Sequence, residues 1–436
     1  MLDLTNKSVA ILGAGRSGQA AAALAQRCGA TVTIYDSADI TSVPEGCLAV
    51  GHATSEMGKA VIADLVVVSP GIETDGAFVQ AFAQGSGELL GEIELAWRCY
   101  NGKTIAITGT NGKTTTTELV DVLVRATGSS CAPCGNYGVP FSEILLCEES
   151  QIPSVVALEV SSFQLETISR FKPDAVVFLN FAADHMDRYE SLEQYRAAKL
   201  KIFDNTDPST LVVSRQGNDL GNFAGHLVTF STQLPADWIY EDGKILSPNE
   251  TFILLEEISL RGLHNIENVM AACAVVENLT PELAQSALRQ YRPPSHRCEL
   301  VGESGGVEYI NDSKATNIHA LESALRSQTR PTILIAGGKQ KGLDYQSLIP
   351  LVQDRTKQMV CFGEIGPELA KTFQRSIRCE TVETLDEAVS LAAKSATPGD
   401  TVLFSPGTSS FDQFRGYEAR GNAFKMAVQK LHPSLT

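Results

Sequence analysis

Short apolar runs alternate with helical stretches along the whole chain, and this alternation most narrows the folds open to it. Val9–Leu12 leads into Gly13-Ala14-Gly15-Arg16-Ser17-Gly18 and an Ala-rich stretch over 19–28, then Thr31–Tyr35 ends at Asp36. Leu65–Val68 is another such run and is followed by Ser69-Pro70-Gly71. Lys103–Thr108, Val155–Leu158 and Ala175–Leu179 continue the pattern, as do Val307–Ile310, Thr332–Ile335, Met359–Phe362 and Thr401–Phe404. Strands this short and this apolar are buried on both faces, as in a parallel sheet flanked by helices. A chain of 436 residues exceeds one ordinary core. The reading is therefore an α/β protein of three domains, each on a mainly parallel sheet: 1–91, 92–294 and 295–436. A Gly and Ser cluster over 85–91 and the linker Arg292-Pro293-Pro294-Ser295 suggest the boundaries.

Smaller signals refine this picture. Asp242-Gly243 between two apolar runs predicts a hairpin. Ser191–Phe203 predicts a helix with Ser191 and Gln194 at capping-box spacing, and a further helix is expected over 264–277.

The net charge of -16 argues against nucleic acid and anionic membrane as partners. No signal peptide and no membrane-length apolar run is apparent, so a cytoplasmic protein with reduced cysteines is expected. The close pair Cys131-Ala-Pro-Cys134 lacks the second ligand pair of a zinc knuckle.

Gly109-Thr110-Asn111-Gly112-Lys113-Thr114, followed by Thr115, stands between a strand and a helix. Glycines let backbone approach phosphate, and successive N–H groups at a helix start make an anion nest. Lys113 can reach terminal phosphates, and the Thr114 hydroxyl can bind Mg²⁺. The spacing departs from the usual phosphate loop, whose first Gly would fall at Ile107. Gly13-x-Gly15-x-x-Gly18 with Asp36 matches a dinucleotide fingerprint, so an NAD-dependent dehydrogenase is the alternative reading. Glu159, past an apolar strand, and His185, within Asp184-His185-Met186-Asp187, are candidate metal ligands. Three polar loops, Asn311–Asn317, Gly337–Gly342 and Ser405–Ser410, follow strands and should open on one sheet edge.

Gly109–Thr114, Glu159-Val-Ser-Ser-Phe-Gln164, Asp184-His-Met-Asp-Arg188, Tyr195-Arg-Ala-Ala-Lys199, His264-Asn265-x-x-Asn268, His296-Arg297 and Asn311–Asn317 occur in this order. Together they resemble the Mur ligases of peptidoglycan synthesis. The runs after Glu159 and around Ser405–Phe414 are similar to the branch that adds D-glutamate to UDP-N-acetylmuramoyl-L-alanine. The resemblance implies a Rossmann-like UDP-binding domain, a central P-loop-type ATPase and a Rossmann-like C-terminal domain for the amino acid. It implies ATP and two Mg²⁺ ions, and a monomer acting on small molecules.

Carried over by motif, Gly15, Arg16, Ser17, Asp36, Ser37 and Ser69 would face the UDP group. Asn136, Ser161 and Gln164 would face the acceptor arm. Gly109 to Thr115 would bind ATP phosphates, with Asn268, Arg297 and Asp312 on the adenosine side. Lys314, Thr316, Lys341, Ser410 and Tyr417 would orient D-glutamate. Lys113, Glu159, His185 and Lys199 would be catalytic, with Thr114, Glu159, His185 and Lys199 on the metals. Lys199 would serve as a carbamate; the residues alone do not distinguish it from Lys201. Lys339 stands where the family commonly has an acidic residue, and Tyr417 where it has Phe.

Overall fold

The computed structural model describes residues 2–433 apart from 187, 249, 259, 261, 293 and 294 and the side chain of His319. Asp187 of the Asp184-His185 motif and the Pro293-Pro294 linker thus lie outside the described residues. The expected α/β architecture is present as three sheets. By compactness the chain divides into two units. One comprises Met1–Phe181, Arg188–Glu257 and Asn268–Arg289; the other comprises Ala182–Asp187, Ile258–Glu267 and Gln290–Thr436.

The first unit holds two sheets. The smaller runs Leu48–Val50, Thr31–Tyr35, Ser8–Leu12, Leu65–Val68, Glu88–Gly91, all parallel. The central position of Ser8–Leu12 follows from its near-total burial; Ile11 and Leu12 have no exposed surface. Gly18 is required for helix Arg16–Arg27 to sit on this strand, because a β-carbon there would lie 1.9 Å from the Gly13 carbonyl oxygen. The Gly- and Ser-rich stretch read as a boundary contains the strand Glu88–Gly91. Its register against Leu65–Val68 buries Leu90, which outweighs the local preference for a turn.

The larger sheet has Lys103–Thr108 between Val155–Glu159 and Ala175–Phe178, all parallel. Cys131–Gly135 forms one edge, where Pro133 is tolerated because no further strand needs its N–H. Burial pushes the Cys131 thiol up to about 12, so it is a packed, protonated residue. The predicted hairpin forms: Trp238–Glu241 and Lys244–Leu246 pair antiparallel. Asp242 and Gly243 both have positive φ, 46° and 76°, as a two-residue turn of this kind demands.

The Ser191 side chain caps helix Leu192–Leu200 by accepting from Gln194 N. The reciprocal half of a capping box is not made, since Gln194 Oε1 accepts instead from Glu190 N. The predicted helix to Phe203 ends earlier and tightens into a 3₁₀ turn over Lys201–Phe203.

One apolar cluster runs through both sheets of this unit, from Val9 and Ile34 through Leu90 and Ile93 to Ala106, Val156 and Phe178. Helix Glu92–Cys99 lies in it and buries Glu94 completely. Glu94 accepts from Ser169 N and Phe171 N at 2.9 Å and Arg170 N at 3.1 Å, and pairs with Arg98 Nε at 2.7 Å. Glu94→Gln should cost about 2 kcal/mol, because the amide keeps the shape but loses the charge that these donors solvate. Urea unfolding would read it; an unchanged midpoint counts against this brace.

The second unit holds the sheet Glu299–Ser304, Val307–Asn311, Thr401–Phe404, Thr332–Gly337, Thr356–Phe362, Arg378–Thr381. Only Glu299–Ser304 is antiparallel. The loops after Val307–Asn311, Thr332–Gly337 and Thr401–Phe404 therefore open on the same edge, as expected. Among the described residues no helix is long and apolar enough to cross a membrane.

Candidate active site

The Gly109 loop follows strand Lys103–Thr108, where the strand order reverses and sheet topology leaves an opening beyond the strand ends. Gly109 and Gly112 have φ of 144° and 85°, conformations that side chains strongly disfavour. Gly112 is also crowded: a β-carbon there would lie 2.3 Å from Asn268 Oδ1. Helix Lys113–Ala126 begins without a side-chain cap, and the positive end of a helix dipole suits an anion.

Asn180 shapes this loop. Its Oδ1 accepts from Asn111 N at 2.9 Å, its Nδ2 donates to Asn111 O at 3.0 Å, and its carbonyl accepts from Thr110 N at 3.0 Å. The sequence groups Asn180, at a strand end, with Asp184-His185-Met186-Asp187 as a metal-type cluster; the bonds it makes are to the Gly109 loop. The signal for that bracing role was an amide side chain just past the strand that adjoins the Gly109 loop's own strand.

Four expected catalytic or metal residues gather here. Lys113 Nζ donates to Gly109 O at 3.0 Å and Thr110 O at 2.9 Å. Thr114 Oγ1 donates to Glu159 Oε2 at 2.8 Å, and both residues are buried. Asn136 Nδ2 donates to the other Glu159 oxygen at 2.7 Å. Lys199 is 1% exposed, and its Nζ donates to Gly109 O at 2.8 Å and lies 4.9 Å from the Tyr195 ring centroid. Lys201 instead donates to Glu166 O at 3.1 Å, away from the loop. Thr115 is buried. A carboxylate and a hydroxyl beside a helix N-terminus are hard oxygen donors that suit Mg²⁺. Among the described residues, no three His, Cys, Asp or Glu side chains come together as a ready-made metal nest.

Ser161 and Gln164 bond to one another as the capping box of helix Ser162–Leu165. In the smaller sheet, Asp36 is used structurally: its oxygens accept from Ala14 N at 2.7 Å and Ala38 N at 2.9 Å. That fixes the glycine loop around Gly15, whose α-carbon faces open space. Arg16 donates to Gly138 O and Glu143, while Ser69 Oγ donates to Gly13 O at 3.4 Å. Ser17 is the second residue of helix Arg16–Arg27 and Ser37 follows Asp36.

His185 belongs to the segment Ala182–Asp187 of the second unit. It has φ of 55°, and its N–H donates to Asp184 Oδ1 at 2.9 Å. Asp184 Oδ2 accepts from Asn317 Nδ2 at 3.0 Å. In the same unit Asp312 is buried, accepting from Ser405 Oγ at 2.9 Å and Cys298 N at 3.2 Å. Burial pushes its carboxyl up to about 7, opposed by Ser405, the Cys298 amide and Arg297. Lys314 Nζ lies 3.7 Å from the Tyr417 ring centroid. Ser410 is buried at the same edge, Thr316 half-buried and Lys341 exposed.

The sequence matches the Mur ligase middle domain over residues 107–276 and the Mur ligase glutamate ligase domain over residues 296–407. A protein of Acidobacterium capsulatum named UDP-N-acetylmuramoylalanine--D-glutamate ligase is 38% identical, the match covering 98% of this chain and 97% of that one. A protein of the same name from Geobacter metallireducens is 38% identical, with 99% of each chain covered. Among solved structures, MurF ligase from Thermotoga maritima in complex with ADP has a TM-score of 0.62 at 15% identity, covering 98% of this chain and 96% of that chain. UDP-N-acetylmuramate-alanine ligase from the same organism has a TM-score of 0.60 at 19% identity, covering 98% and 100%. The structural likenesses carry the fold; the domain matches and the full-length identities show that the chain belongs to the Mur ligase family.

Proposed function

We propose that this chain is an ATP-dependent, ADP-forming ligase that adds D-glutamate to UDP-N-acetylmuramoyl-L-alanine in peptidoglycan precursor synthesis. The observation that carries this reading is the gathering of half-buried Lys113 with buried Thr114, Glu159 and Lys199 around the Gly109 loop. Full-length relatives named for this reaction support it. A dehydrogenase would leave that group without a role.

A carboxylate offers no leaving group, so it must be activated before an amine can displace oxygen from it. The acceptor carboxylate oxygen attacks the γ-phosphorus of ATP, the bond to the ADP oxygen breaks, and an acyl phosphate forms. The amine of D-glutamate then attacks the acyl carbon, loses a proton, and expels inorganic phosphate. In this reading the Lys113 ammonium and the amides at the helix start hold the phosphates and offset the charge gathering on their oxygens. Thr114 and Glu159 would hold Mg²⁺, whose contribution is to neutralise phosphate charge. His185 and Lys199, the latter as a carbamate, are the candidate ligands of a second ion.

Asn268, Arg297 and Asp312 are assigned to the adenosine side. Gly15, Arg16, Ser17, Asp36, Ser37 and Ser69 are assigned to the UDP group, and Asn136, Ser161 and Gln164 to the acceptor arm. Lys314, Thr316, Lys341, Ser410 and Tyr417 are assigned to D-glutamate. The reading includes division into domains near residues 91 and 294, and a monomer acting in the cytoplasm.

The test is phosphate release from ATP with UDP-N-acetylmuramoyl-L-alanine and Mg²⁺. D-Glutamate should stimulate it, whereas L-glutamate, L-alanine and meso-diaminopimelate should not. No ADP with D-glutamate would sink the proposal.

A further inference from the structure

One buried cation in the second unit has no role in the reading above. Arg420, in the first turns of helix Tyr417–Leu431, has no exposed surface. Its Nε donates to Ser313 Oγ at 3.1 Å and its Nη2 to Ser313 O at 2.8 Å. Ser313 Oγ in turn donates to Tyr417 O at 2.8 Å. The remaining nitrogen, Nη1, is buried without a hydrogen-bond partner among the described residues. It points to the next loop: a β-carbon on Gly338 would lie 2.9 Å from Nη1 and 2.4 Å from Ser409 O. Gly338 and the Ser409 carbonyl are themselves tied, since Lys339 N donates to Ser409 O at 2.9 Å and Thr408 Oγ1 to Lys339 O at 2.5 Å. The guanidinium thus contacts the loop after Val307–Asn311 directly and abuts the point where the loops after Thr332–Gly337 and Thr401–Phe404 meet.

Burying a charge with few partners is costly, and an apolar side chain of similar length is often the more stable choice. Arg420 keeps its charge at neutral pH although burial draws it down to about 10. Asp412, Asp312 and Tyr345 face it, and among the described residues none accepts a hydrogen bond from it. Its hydrogen bonds go to Ser313 alone, and a fork of fixed geometry holds that residue in a way a lysine ammonium would not. Stability alone therefore explains this arginine poorly.

We propose that Arg420 is a positioning residue that fixes the spacing of the Ser313, Gly338 and Ser409 loops and thereby sets affinity for the dicarboxylate amino acid. This rests on the assignment of Lys314, Thr316, Lys341, Ser410 and Tyr417 to that ligand. Lys314 follows Ser313, Ser410 follows Ser409, and Tyr417 is bonded through Ser313, so a loosened Arg420 displaces groups from several elements at once.

The test compares full-length wild type with Arg420→Met and Arg420→Lys. KM is measured separately for D-glutamate and ATP, and amide exchange is followed across the protein. Arg420→Met should raise the KM for D-glutamate by about 20-fold and leave that for ATP within about twofold, since misplaced binding groups act on the ligand they hold. Exchange should quicken at Lys339 and Gly407, not in helix Leu385–Ser395. Arg420→Lys should fall between the two. An unchanged KM for D-glutamate in a folded variant, an equal rise for both substrates, or a uniform rise in exchange overturns the proposal. If Arg420→Met does not fold, Arg420→Lys is judged alone, and an unchanged KM for D-glutamate overturns it. A wild type that forms no ADP with D-glutamate would instead overturn the substrate reading.

Discussion

Lys113→Ala should lower kcat by at least about 1,000-fold, roughly 4 kcal/mol of transition-state stabilisation. Lys113 Nζ is held by the carbonyls of Gly109 and Thr110, on the loop that begins helix Lys113–Ala126. The ammonium is therefore already oriented, and no ordering cost falls on the reaction step. Moving charge onto the γ-phosphoryl oxygens strengthens its attraction to a fixed cation, so the loss should appear in kcat as well as in kcat/KM. Single-turnover ADP formation measures it, with the melting temperature as a control for folding. Turnover within about tenfold of wild type would remove Lys113 from the chemistry.

Lys199→Ala should also reduce turnover by at least about 1,000-fold, and millimolar acetate or formate should restore activity by about tenfold or more. Lys199 is enclosed at the Gly109 loop by Gly109 O and the Tyr195 ring, with 1% of its surface exposed. Truncation leaves a cavity that ends at a polar wall, a shape that a small carboxylic acid can enter. Rescue is expected because a carbamate presents two oxygens, as a carboxylate does, whereas the amine presents none. Methylamine serves as the control for an amine role. Rescue by methylamine but not by acetate in folded protein would replace the carbamate with a plain lysine. Lys201→Ala should stay within about threefold of wild type, because its ammonium bonds to Glu166 O instead of the loop.

Local chemistry made much of this protein legible from its residues. Apolar runs joined by helices leave little choice but parallel sheets, and strands such as Thr31–Tyr35, Leu65–Val68 and Thr401–Phe404 fall where the pattern put them. The glycine loops were equally readable, because φ near 85° at Gly112 strongly favours a residue without a β-carbon. Edge and short strands were missed, among them Leu48–Val50, Cys131–Gly135 and Arg378–Thr381. Their pairing comes from neighbours distant in sequence and overrides weak local preference.

Tertiary structure alone decided which of two nearby lysines meets the Gly109 loop. Lys199 and Lys201 have the same chemistry and nearly the same context. The helix ends at Leu200, and Lys199, still within it, is directed to Gly109 while Lys201 enters the 3₁₀ turn. The role of Asp36 as a brace for its own glycine loop was likewise settled only by distance. The same holds for Arg420: an arginine in a polar helix start reads as solvated, until packing closes every side of it. Sequence carries the backbone's preferences because these act within a few residues. Which charges are buried, and against what, depends on contacts between residues far apart in the chain, 90 positions for Lys199 with Gly109 and 107 for Arg420 with Ser313.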